Sequence, residues 1–272
     1  MTAPWWYRAL RTLAVAALTL WLILPLVPLV VWSFAKGWRF PSLTPQEWTL
    51  QAWRIALSDR TGVLESLWVT GAIALLVTLL AILIGVPAGR ALGQHQFRGK
   101  GAVQALILAP LIVPGIAVAL GLHAVFLRLG LTNSFTGVVL VHLIPTLPYM
   151  IIIMAGIFAN HDPSHESQAR SLGATPWQTY AHVTLPAILP GVIVGGLFCF
   201  LVSWSQYILT LLIGGGRIQT LPLLLFSFAT SGRNDLTGAI SVIYILPGLL
   251  ILILTARHLT GTHPALAGLV RK

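Results

Sequence analysis

Residues 166–190 read ESQARSLGATPWQTYAHVTLPAILP and form a polar, amphipathic island between two strongly apolar runs. The island contains charged, amide and hydroxyl side chains, whereas the runs on either side carry almost no charge. Polar side chains of this kind are costly in lipid unless protein or a water-filled cavity surrounds them. The island is therefore expected to lie in water or to dock on another protein, while the flanking runs lie in a membrane.

The composition of the whole chain indicates a membrane protein. Of 272 residues, 57% are hydrophobic and 8% are charged, with a mean hydropathy of +0.88. Because backbone groups in hydrocarbon must be satisfied within their own segment, apolar runs without two-residue alternation are predicted to be helices. The fold class predicted is all-α, a polytopic integral membrane protein with six transmembrane helices of about 20 residues or more. The six segments run approximately over residues 10–35, 64–92, 102–127, 135–158, 187–213 and 236–256.

The charge distribution gives modest information about orientation. The net charge of +10 would suggest a nucleic-acid partner for a soluble protein, but these basic residues are scattered over loop ends, so no nucleic acid is expected. Nine of the 16 lysines and arginines fall on the side of the polar island and seven on the other. The short loop 93–101 and both tails favour the cytoplasm for that side.

The polar island resembles the cytoplasmic loop of permease subunits in binding-protein-dependent ABC importers. The family pattern is Glu-Ala-Ala, then Gly, then a hydrophobic-Leu-Pro ending, and Ser167-Gln168 displaces its first alanine without changing the spacing. The residues at matching positions are Glu166, Ala169, Gly173, Leu185 and Pro186. The resemblance implies a MetI-like permease fold, a single transmembrane domain over residues 1–272, and a cytoplasmic coupling loop at 160–185.

The resemblance also implies a set of partners. Two ABC ATPase subunits would dock on the loop, and a second permease subunit, identical or homologous, would complete the substrate path. A periplasmic or extracellular binding protein would deliver the substrate. ATP and Mg²⁺ would be bound by the ATPases, so this chain is expected to hold no cofactor or metal and to catalyse no reaction. Its location would be the lipid of the bacterial inner membrane, with both termini cytoplasmic.

Local signals predict two short helices with a bend in this loop. Asp162 can cap the first helix, and Glu166 and Arg170 then fall four apart on one face. Gly173 permits a left-handed turn, after which Pro176 can start the second helix. A capped connector without a partner is the structural alternative, but Leu172, Trp177 and Tyr180 have no obvious partner within the sequence.

In the family, such a loop sits in a cleft of the ATPase, where Glu166 is expected to meet a basic group. The residues assigned to coupling are Glu166, Ala169, Arg170, Leu172, Gly173, Ala174, Pro176, Leu185 and Pro186.

Polar residues in the fifth segment indicate a substrate path. Together with 214–222, they resemble the subset of permeases that includes polyamine, ferric iron, thiamine and phosphonate importers, in which the fifth helix lines the path. Interhelical hydrogen bonding is an equal alternative for these side chains. Acidic residues are missing there, so a polycation substrate is not favoured. The pathway residues predicted are Pro114, Ser203, Gln206, Tyr207 and Thr210.

Glycine and proline positions give further expectations. Gly85, Gly89 and Gly93 at four-residue spacing are predicted to let a neighbouring helix approach closely. Prolines within the third and fourth segments predict that both are interior, since freed carbonyls are not tolerated against lipid. Residues 42–47 are expected to begin a helix.

A stand-alone secondary transporter or channel is the alternative function. Such a carrier is expected to show buried acidic residues or an inverted repeat, and neither is evident in the sequence.

Overall fold

The computed structural model describes residues 5–38, 41, 42 and 44–259. Five helices are long and apolar enough to cross a membrane, or six if one bent pair is a single span, and the predicted all-α membrane fold is confirmed. A short antiparallel sheet pairs β1 (Ala35–Lys36) with β2 (Glu47–Trp48). The helices are α1 (Trp5–Ile23), α2 (Val27–Phe34), α3 (Gln51–Ala56), α4 (Val63–Gln94), α5 (Lys100–Ile112), α6 (Gly115–Arg128), α7 (Phe135–Ala159), α8 (Ser164–Ser171), α9 (Pro176–Thr179), α10 (Leu185–Trp204), α11 (Ile208–Gly214), α12 (Leu221–Thr230) and α13 (Asn234–Leu259).

The described residues cluster into two compact units. The first contains residues up to Glu65 together with Leu224–Leu246, and the second contains Ser66–Leu223 and the residues from Pro247 onward. The single transmembrane domain over residues 1–272 stays a prediction.

In the first unit, the loop after α2 departs from the sequence expectation. Residues 47 and 48 pair with β1 in an extended conformation, so the helix predicted to start at 42–47 is wrong. The Lys36 ammonium donates to Glu47 across the two strands at 2.8 Å, and both side chains are exposed. The helix begins only at Gln51, whose backbone N–H donates to the Thr49 hydroxyl at 3.1 Å.

In the second unit, α7 is the central helix, with buried residues along its whole length. The glycines of α4 explain how closely α4 approaches it. A Cβ added at Gly85 would collide with Met150, one at Gly89 with Met154, and one at Gly93 with the backbone of α7. The predicted packing role of these glycines is confirmed.

The third apolar segment is not straight, because α5 and α6 meet at 104°. Pro114 lies at this bend and its ring nitrogen has no hydrogen to continue the α5 hydrogen-bond ladder. The prediction that the fourth segment is interior is confirmed by α7, which keeps Pro145 and Pro148 within a continuous helix. In the third segment, none of the described side chains of α5 is fully buried, so the interior position predicted for this segment stays a prediction.

Candidate functional site

The loop between α7 and α10 folds as its local signals predict. The Ser164 backbone N–H donates to Asp162 Oδ1 at 2.9 Å, which caps α8 and lowers the pKa of the Asp162 carboxyl. Gly173 has φ of +88°, a left-handed conformation that glycine adopts without strain. Thr175 and Gln178 then form a capping box around the start of α9. Two short helices with a bend at Gly173 are confirmed.

The second helix joins the membrane without an interruption. One π-helical turn, Tyr180–Thr184, leads directly from α9 into α10. The end of the loop is therefore continuous with a membrane-spanning helix.

Glu166 is the buried centre of the loop, with 6% of its surface exposed. Arg90 Nη2, near the end of α4, donates to its two carboxylate oxygens at 2.7 and 3.0 Å. The Thr184 hydroxyl donates to the same carboxylate at 2.9 Å. Burial alone would raise the pKa of Glu166, but the hydrogen bonds from Arg90 and Thr184 outweigh it, so the pKa lies below its ordinary value.

The side chains of His161 and Arg170 also lie near this carboxylate, at longer range. His161 Nε2 is 3.7 Å and Arg170 Nη2 is 4.0 Å from a Glu166 oxygen. The predicted pairing of Glu166 with Arg170 along α8 is thus weaker than the one with Arg90. The ring of Phe158 lies under the Arg90 guanidinium, 5.7 Å from its centroid, and fixes this arginine from the side of α7.

The structure gives Glu166 a basic partner within its own chain, Arg90, which lies 76 residues away. The expected contact with a basic group of an ATPase stays a prediction. Because the carboxylate is already bonded and buried, it presents little surface to a second protein. Arg90 and Thr184 were missed by sequence reasoning, although a lone arginine near the end of a long apolar helix is a signal that something must pair with it.

The remaining coupling residues lie at or near the surface of the loop. Leu172 is 89% exposed at the bend, and Trp177 is 73% exposed at the start of α9. Large apolar side chains that are exposed on the same loop are typical of a docking surface. The other residues assigned to coupling are half-buried or exposed, namely Ala169, Arg170, Gly173, Ala174, Pro176, Leu185 and Pro186.

The fifth segment is not one continuous helix. α10 ends at Trp204 and α11 begins at Ile208, so Gln206, Tyr207 and Thr210 do not share one regular helical face. The backbone break redirects the chain and separates these side chains into two groups.

Ser203 and Thr210 are buried on either side of His142 in α7. The two ring nitrogens of His142 lie 3.0 Å from the Ser203 hydroxyl and 2.9 Å from the Thr210 hydroxyl. Ser203 and Thr210 therefore form hydrogen bonds between helices, and these contacts fit that role better than the lining of a path.

Gln206 and Tyr207 instead line a cavity of about 340 Å³. Its other walls include Pro110 and Gly115, on either side of the bend at Pro114, and Pro145 of α7. The structure thus brings the break of the fifth segment close to the bend of the third, and no acidic side chain is among the described residues lining the cavity.

Comparison with known proteins places these features in a family. Residues 81–260 match the family described as binding-protein-dependent transport system inner membrane component. The chain is 27% identical over 235 residues to the spermidine/putrescine transport system permease protein PotC of Haemophilus influenzae, covering 86% of this chain and 90% of that protein. It is 28% identical over 265 residues to the molybdenum transport system permease protein ModB of Mycobacterium bovis, covering 89% and 96%.

A solved structure shares the fold. The chain resembles a subunit of a bacterial ABC transporter involved in the import of the acidic polysaccharide alginate, with a TM-score of 0.69, 19% identity, and coverage of 92% of this chain and 95% of that one. Since the family match extends over well more than half of the sequence, the chain belongs to the inner membrane components of binding-protein-dependent transport systems and is a permease subunit of an ATP-driven importer.

Proposed function

We propose that residues 160–185 are the segment through which ATPase subunits drive this permease. One observation carries the proposal: the loop combines an exposed apolar tip with a base that is bonded to the transmembrane helices. Leu172 and Trp177 form the tip, and Glu166 joins the base to α4 through Arg90. A movement imposed on the tip then reaches α4 through the ion pair and α10 through the continuous backbone.

The proposed assembly follows the family pattern. Two ATPase subunits dock on such loops and bind ATP and Mg²⁺, and this chain holds no cofactor. A second permease subunit, identical or homologous, encloses the path, and a periplasmic or extracellular binding protein delivers the substrate. ATP binding shifts the permease between inward- and outward-facing states only through a difference in partner affinity between them.

The tip is tested by truncating its two large side chains. Trp177→Ala and Leu172→Ala are expected to lower recovery of the ATPase with the purified permease by about tenfold or more, because buried aromatic anchors dominate interface energies. Pull-down from membranes that contain equal amounts of permease measures the effect.

Trp68→Ala is the matched control, since Trp68 is 79% exposed on α4 and lies far from the loop in sequence. Full recovery of the ATPase with both tip variants would contradict the docking assignment.

The orientation is proposed to place both termini and residues 93–101 and 160–185 in the cytoplasm, with 37–63 and 214–235 outside. In a Cys199→Ala background, Ser42→Cys is expected to react from outside intact cells with a membrane-impermeant maleimide, and Ser164→Cys only after permeabilisation. Both serines are exposed. The opposite labelling pattern would invert the topology.

The pathway is proposed to include Gln206, Tyr207 and the bend at Pro114. Gln206→Leu and Tyr207→Ala are expected to change the uptake rate or substrate preference with unchanged complex yield, because both side chains line the cavity. Thr210→Val keeps the shape but removes the contact to His142, so it should lower stability by roughly 0.6 kcal/mol and leave preference unchanged. Uptake and yield are measured together for all three. Unaltered transport in both cavity variants would remove them from the path.

A further inference from the structure

A second groove lies among α4, α5 and α7, close to the loop that joins α4 to α5. Its volume is about 630 Å³, larger than that of the cavity at Gln206. One end is polar and the rest is apolar, with small residues of α7 leaving the space open. The residues that define it are Gln96, Lys100 and Gln104 at the polar end, and Ile107, Ile152 and Gly156 farther in.

The order of these side chains along α5 follows the helical repeat. Lys100, Gln104 and Ile107 are separated by four and three residues, so they lie on one face of the helix. Lys100 is the first residue of α5, and this face therefore changes from cationic to apolar in the direction away from the loop. A ligand that fits must be anionic at one end and apolar along the rest.

The ammonium of Lys100 retains capacity for such a ligand. It donates one hydrogen bond to the His95 carbonyl at 3.1 Å, and an ammonium group has three protons. Arg98 is two residues away and adds a second cation to the same loop. At Gly156 an added Cβ would meet no atom within 4 Å, which shows that the apolar part of the groove is open.

We propose that this groove binds an anionic phospholipid, with one acyl chain along α5 and α7 and the phosphate at Lys100. Basic pockets between transmembrane helices attract anionic headgroups, and the volume is in the range of pockets that enclose small ligands. The charge of the polar end selects this lipid over a zwitterionic one. Lipid binding here does not depend on the assignment of residues 160–185 to coupling.

The test measures which lipid remains with the full-length protein. Detergent-purified permease is mixed with equimolar phosphatidylglycerol and phosphatidylcholine of identical acyl chains, purified again, and its lipid is quantified by mass spectrometry. We expect phosphatidylglycerol to be retained roughly fivefold over phosphatidylcholine, the preference that one basic side chain near the surface provides. Lys100→Gln should remove the preference, and Gly156→Leu should lower retention of both lipids.

Matched controls are Arg128→Gln, at the far end of α6, and Gly121→Leu, at another open helical glycine. Both should behave as the wild type. Equal lipid ratios in the wild type and Lys100→Gln, or unchanged retention in Gly156→Leu, would overturn the proposal. A photo-crosslinking residue at position 156 that captures a second permease chain in membranes, instead of lipid, would overturn it as well.

Discussion

Glu166→Lys is expected to abolish uptake while membrane insertion is retained. The substitution places a second cation beside Arg90 and removes the acceptor for the Thr184 hydroxyl. Breaking a fully buried ion pair costs about 3–5 kcal/mol. Because the Arg90 side chain is 35% exposed, water offsets part of this, and about 1–3 kcal/mol is the better magnitude. A cost of this size is expected to disorder the base of the loop and to leave the membrane-spanning helices folded. Substrate uptake, membrane abundance and ATPase recovery are the measurements.

Arg90→Gln tests whether Glu166 acts through Arg90 of the same chain or through a contact with the ATPase. If Glu166 acts through Arg90, this variant should reduce uptake as strongly as Glu166→Gln, and the exchange of the two residues should restore part of the activity. Glu47→Lys is the control, since the Lys36–Glu47 pair is exposed and such pairs contribute little. Wild-type uptake in Arg90→Gln would show that Glu166 has its functional partner elsewhere.

The Arg90–Glu166 ion pair is expected to remain ionised under physiological conditions. The pKa of Glu166 is lowered in the folded protein, so the stabilisation is complete above the ordinary carboxyl pKa. It is lost only as the pH falls through the lowered value. Coupling should therefore show no titration of this pair near neutrality.

Local sequence signals predicted the spans well because the bilayer imposes length and internal hydrogen bonding on each segment. The fourth segment, predicted at 135–158, is observed as Phe135–Ala159. Hydropathy does not register a change of direction, however, so it predicts one continuous segment both at the bend near Pro114 and at the break after Trp204. The second break contains no proline and gave no local signal.

The parts of the candidate site that could be predicted are those whose contacting residues lie close together in the sequence. The Asp162 cap and the Gly173 turn depend on neighbouring residues and could be derived from them. The bonds from Arg90 to Glu166 and from His142 to Ser203 join residues 76 and 61 positions apart. A single sequence carries no record of which distant polar groups meet, so it does not predict that Arg90 pairs with Glu166.

Gly89→Leu is expected to cause a large loss of folded protein. A Cβ at this position would overlap Met154 and lie 3.0 Å from the Ala155 nitrogen, so α4 and α7 would have to separate. Overpacking of a core costs about 1–3 kcal/mol, and more where backbone rather than a side chain must move. Folded yield and the midpoint of thermal unfolding in detergent measure the effect. Gly71→Leu is the control on the same helix, where an added Cβ meets nothing within 4 Å.

The same separation of α4 and α7 should also weaken the coupling between the ATPase and transport in the fraction of Gly89→Leu protein that still folds. Phe158 of α7 lies against Arg90 of α4, and Arg90 in turn holds Glu166, so moving α7 away withdraws the support of the guanidinium. Residual Gly89→Leu protein is therefore expected to show less uptake per folded molecule than Gly71→Leu, with ATPase recovery reduced in parallel. Equal specific uptake in the two variants would mean that the α4–α7 contact serves folding alone and that the position of Arg90 does not depend on it.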